Sequence, residues 1–118
     1  MAHDLGPKDR PELLTLHHSL RELIGCLRNF VDSEDYGFLE KAYTIKEKIK
    51  NTMHIGYLSG FDDLDKNLNA MYIVWREAGK NLEDYTHGRL LDQAVYSIAR
   101  ANIMATGLEF KLKRMRKG

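Results

Sequence analysis

At 118 residues the chain is one domain by size, long enough to bury a core without disulfide or metal staples. Hydrophobic residues at 43% and charged residues at 30% exclude a wholly disordered polymer, and the lone Cys26 excludes an internal disulfide and suits a reducing compartment. The net charge of +1 is unevenly placed: the last eight residues hold Lys111, Lys113, Arg114, Arg116 and Lys117 and no acid, which leaves residues 1–110 at −4.

Residues 1–10 read as a flexible, polar N-terminus without a signal-type apolar core. The longest apolar run, Ala70 to Trp75, falls far short of the ~20 residues that span a bilayer. The expectation is a cytoplasmic protein with no transmembrane segment.

Both prolines, Pro7 and Pro11, precede the first periodic segment, so nothing after Pro11 forbids helix. Asp9 is the predicted N-cap of helix 1, with Pro11 near its first helical position. Leu13, Leu16, Leu20, Leu23, Leu27 and Phe30 then recur every three or four residues, one stripe of a helix, widened by Ile24 and Val31.

Asp32 and Ser33 break this segment and are placed to cap helix 2. Its predicted stripe is Phe38, Ala42, Ile45, Ile49 and Met53, with Lys41, Lys46, Glu47, Lys48 and Lys50 on the other face. Gly56 and Gly60 permit a turn after it. Helix 3 carries Phe61, Leu64, Leu68, Met71, Trp75 and Ala78. Asp62, Asp63 and Asp65 suit the positive end of its dipole, and Gly79 is the predicted stop.

Helix 4 is the longest, opening on Asn81 and Asp84 in capping-box spacing. Leu91, Ala94, Ile98, Ala101, Ala105, Leu108, Leu112 and Met115 form an unbroken heptad seam. Four amphipathic segments with short polar breaks predict an all-α, up-and-down four-helix bundle with a long C-terminal helix, in one domain over residues 1–118. Helix 4 outruns helices 2 and 3, so its last turns are expected to overhang. Ala94, Ala101, Ala105, Leu108, Leu112 and Met115 are then the expected surface for self-association or a protein partner.

Chemistry is sparse. In the helix 1 register His17 shares a column with Ile24 and Val31, while His18 points to water. His18-Ser19-Leu20-Arg21 resembles the histidine-x-leucine-lysine stretch of histidine phosphotransfer domains, which are also helical bundles of this size. The resemblance implies His18 as phosphoacceptor, although the family's following glycine is Glu22 here. Arg10 and His17 resemble the arginine–histidine spacing of HEPN-type ribonucleases, small helical dimers. The plainer reading, one partly buried and one surface histidine, is the one preferred.

No His-Glu-x-x-His, paired Glu-x-x-His, cysteine pair or phosphate-binding glycine loop occurs. No metal, cofactor or catalytic residue is therefore expected. The basic tail, residues 111–118, could neutralise phosphates through Lys111, Lys113, Arg114, Arg116 and Lys117, which makes nucleic acid a second candidate partner. The expected function is a non-enzymatic adaptor or regulator acting by protein association. Nucleic-acid binding and phosphotransfer through His18 are the alternatives.

Overall fold

Helix 1 forms because leucine recurs at nearly every inward position of a 24-residue segment, α1, Arg10–Ser33. The computed structural model describes residues 10–51, 58 and 60–117, with side chains to residue 115. The predicted cap Asp9 and the Gly56 turn lie outside the described residues. All six residues of the predicted α1 stripe are essentially without solvent contact, and Ile24 joins them.

The chain then reverses within two residues. Glu34 takes φ 59, a left-handed conformation unusual for an L side chain, and its N–H donates to Phe30 O at 2.7 Å. Helix α2, Tyr36–Lys50, is capped by Asp35 and not by Asp32 or Ser33: Asp35 Oδ1 accepts from Gly37 N at 2.8 Å. α1 simply continues through those two residues.

α3, Phe61–Ala78, starts from Gly60 at φ 87 and ends at Gly79, whose N–H donates to Trp75 O. Only glycine adopts these two positive φ values without strain. α4, Asp84–Lys117, runs 34 residues, roughly 51 Å at 1.5 Å per residue. It accounts for most of the 54 Å long axis of the molecule.

Each helix packs on its sequence neighbours, and α4 closes the ring on α1. Cross-helix contacts fix the directions. His87 meets Glu34 at one end of the α1–α4 pair, and Glu109 meets His17 towards the other, so α1 and α4 run antiparallel. Lys46 meets Asp65 between α2 and α3, and Arg100 meets Asp63 between α4 and α3. The predicted up-and-down four-helix bundle is the fold observed.

The α2 stripe is rotated from the one expected. Leu39, Ala42, Lys46 and Ile49 are buried, whereas Phe38 and Ile45 are only partly covered. Lys46, expected on the wet face, has no solvent exposure at all.

The expected overhang of α4 is absent. The antiparallel register brings the first turns of α1 level with the last turns of α4. Leu13 is fully buried, Leu112 nearly so, and Met115 packs partly against the same core. Helix 4 outruns α2 and α3, but α1 reaches almost as far as it does.

Candidate functional site

The seam expected to receive a partner is occupied within the chain. Ala94, Ala101, Ala105, Leu108 and Leu112 are buried in the bundle core, together with Leu90, Ser97 and Met104. The physical reason is α1, whose leucine stripe covers them. With the bundle intact, this seam is not a docking face.

α4 carries a second stripe that points away from the bundle. Tyr96, Ile103 and Phe110 follow one another at heptad spacing, and all three are exposed, Ile103 by 64% and Phe110 by 60%. Ala99, Thr106 and Gly107 lie between them and are exposed too. A large isoleucine and a phenylalanine in water are individually ordinary. In line on one helix, separated by small residues, they make a groove-and-ridge surface of the kind a second helix packs against.

Gly107 lies on that exposed surface. A Cβ built there meets nothing within 4 Å. Glycine inside a helix costs about 1 kcal/mol relative to alanine, and no contact within the chain requires it here.

The near half of the stripe is braced by α3. Tyr96 Oη donates to Asp63 Oδ2 at 2.5 Å, and Arg100 Nε donates to Tyr96 Oη at 2.9 Å while lying 3.2 Å from Asp63 Oδ2. These bonds hold the Tyr96 ring against the helix edge. At the far half, Lys113 Nζ stands 5.9 Å from the Phe110 ring centre, within cation–π range.

The basic tail is helical through residue 117. Lys113 and Arg114 are exposed, and Lys111 is half-covered. The side chains of Arg116 and Lys117 lie outside the described residues. Helical periodicity distributes the described cations around α4 and does not gather them on one face.

The described histidines, His17, His18 and His87, have carboxylate partners. His18 is 76% exposed, with Glu22 Oε1 3.3 Å from its Nε2. A carboxylate that close opposes the arrival of a phosphoryl group. His17 is mostly covered, and its Nε2 lies 3.0 Å from Glu109 Oε1, which Arg21 also engages. Hydrogen bonds from Arg21 and then His17 hold the Glu109 carboxyl below its ordinary value. Arg10 stands two helical turns before His17, at the first residue of α1.

Two polar clusters carry no sequence signature. At the α1–α2 turn, His87 Nδ1 lies 2.6 Å from Tyr36 Oη and its Nε2 2.5 Å from Glu34 Oε1. Tyr36 stacks on Trp75 at 5.4 Å and meets Phe30 edge-on. Burial first, and the Glu34 charge second, push the Tyr36 hydroxyl up to about 12. A phenol held that firmly protonated is a hydrogen-bonding strut for His87 and not a nucleophile.

Between α2 and α3, the buried Lys46 Nζ lies 3.0 Å from Asp65 Oδ1, 2.6 Å from Asn69 Oδ1 and 3.2 Å from Glu47 Oε2. It also caps the Tyr43 ring at 4.2 Å. Burial alone would raise the Asp65 carboxyl, but Lys46 and then Lys50 hold it below its ordinary value. Every polar group in this cluster is answered, so it reads as a structural clamp joining two helices.

Cys26 borders an open groove of about 590 Å³ between α1 and α2, lined also by Glu22, Glu40, Lys41 and Thr44. Burial raises the thiol, and the Lys41 charge only partly offsets that. A protonated thiol is a poor nucleophile. Among the described residues no group of three His, Cys, Asp or Glu is arranged to hold a metal, and no helix is long and apolar enough to cross a membrane.

Compared with protein-family models, curated proteins and solved structures, the chain matches none.

Proposed function

We propose that this protein is a small helical-bundle adaptor or regulator that works by binding another polypeptide through the outer face of α4. The observation that carries the reading is the exposed line of Tyr96, Ile103 and Phe110, which the fold neither needs nor covers. The clusters with catalytic-looking residues are closed ion pairs or a protonated phenol, and they support a scaffold better than an active site. The surface therefore replaces the buried seam of Ala94, Ala101, Ala105, Leu108 and Leu112 as the place where a partner docks.

The test is the native size of the protein in its host. It is expected to run in an assembly larger than its own 13.7 kDa. Ile103→Asp, which puts a charge into the surface and leaves the core alone, is expected to release it to monomer size with an unchanged melting temperature. A native protein that already runs as a monomer overturns the reading.

A second reading rests on the pairing of Lys113 with the exposed Phe110 ring. Cations beside an exposed aromatic are the means by which single-stranded nucleic acid is held, by phosphate neutralisation and base stacking. It is tested by titrating a labelled single strand at several salt concentrations. Affinity that falls steeply with salt and is lost in Phe110→Ala supports it, and affinity indifferent to both rejects it.

A further inference from the structure

The outer stripe of α4 is symmetric about one residue. Counting outward from Ile103, Tyr96 and Phe110 lie seven residues to either side, Ala99 and Gly107 four to either side, and Asp92 and Arg114 eleven to either side. All seven are exposed. Two copies of such a helix laid antiparallel are self-complementary: each aromatic ring meets the partner's, each small residue faces a small residue, and acid meets base at both ends. A two-fold axis makes every contact twice, which is the defining property of an isologous interface.

We infer that the partner of this face is a second copy of the same chain, docked antiparallel through α4 with the two-fold axis at Ile103. The inference rests on the association reading and names its occupant.

Two observations select this arrangement. Charge is the first. Parallel pairing sets Asp92 against Asp92 and Arg114 against Arg114, whereas antiparallel pairing forms two opposite-charge pairs. Like charges in a rim suppress the wrong register more than correct pairs strengthen the right one.

Gly107 is the second. Its missing side chain, unexplained within one chain, lies across from Ala99 of the other copy, where two helix backbones come closest.

A single-helix contact is at the small end of stable interfaces. The dimer is accordingly concentration-dependent and in rapid exchange.

The test uses the whole chain in a Cys26→Ser background. Ile103→Cys places a thiol on the axis, and mild oxidation is expected to yield a disulfide-linked dimer. Ile73→Cys, also exposed but on α3, is expected to stay monomeric. Asp92→Arg and Arg114→Asp are each expected to weaken dimerisation several-fold, and the two together to restore it. Gly107→Gln, tolerated by one chain because nothing lies near it, is expected to abolish the dimer while leaving the helix signal intact.

Equal cross-linking from both cysteine positions, or a double reversal no better than the singles, overturns the antiparallel pairing. A purified chain that stays monomeric, while the native assembly still collapses on Ile103→Asp, overturns self-pairing and leaves the association reading standing. If the native protein is also a monomer, both fall.

Discussion

Lys46 and Asp65 form an ion pair across α2 and α3, Nζ to Oδ1 at 3.0 Å, with the lysine wholly out of water. A lysine so placed is tolerated only because Asp65, Asn69 and Glu47 replace its hydration. The two partners are not equivalent. Asp65→Ala leaves the ammonium buried without its main counter-charge and is expected to cost about 3–5 kcal/mol. Lys46→Met leaves Asp65 facing Lys50 at 3.4 Å and is expected to cost clearly less than Asp65→Ala. Urea unfolding of both variants measures the asymmetry, and equal losses would refute it.

The same pair sets an acid limit. Because the folded-state Asp65 carboxyl titrates below its ordinary value, its contribution is fully present above about pH 4 and is lost as pH falls through the lowered value. Stability followed from pH 5 downward is expected to decline less in Asp65→Asn than in the native chain. An identical decline would show that the carboxylate is not held by Lys46.

At the other limit stands Tyr36. Its hydroxyl, raised to about 12, favours the neutral form in the folded state. That contribution is fully present below about pH 10 and is lost as pH rises towards 12. Ultraviolet titration is expected to show a late tyrosinate step near 12, absent in Tyr36→Phe. A late step that survives the substitution would assign it to another tyrosine.

Leu112 tests the closure of α1 on α4. Its burial predicts that Leu112→Ala costs about 2 kcal/mol or more, since the cavity cannot be filled by solvent-facing residues. A helix end projecting into water would lose almost nothing on the same change. Thermal or chemical melting of the variant decides between them.

How legible this was varies helix by helix. The buried face of α1 was readable, because six apolar residues in one column leave no second face to choose, but its end was not, since the helix runs on through Asp32 and Ser33. The inward face of α2 was not, because it contains a lysine whose partner Asp65 comes from another helix, and hydropathy assigns any lysine to water. In α4 two heptad stripes coexist, one rich in alanine and one carrying Tyr96, Ile103 and Phe110. Spacing alone cannot say which of them meets α1. The alanine-rich stripe is the buried one because α1 presents bulky leucines that need small residues opposite.

The expected overhang fails for a related reason: the antiparallel companion of α4 is not α2 or α3 but α1, 24 residues long. The Glu34–His87–Tyr36 cluster had no sequence signal at all, since His87 lies more than 50 residues from Glu34 and Tyr36 and meets them only when the ring of helices closes.

The central claim, in its most specific form, is that the outer face of α4 binds a second copy of the chain. Sedimentation equilibrium of the purified chain, run from low to high micromolar concentration beside Ile103→Asp, tests it most directly, because no other molecule need be identified. The account predicts a mass that rises with concentration from one chain towards two in the native protein and stays at one chain in the variant. A native protein and variant that associate alike would contradict it, since the contact would then lie on some other surface.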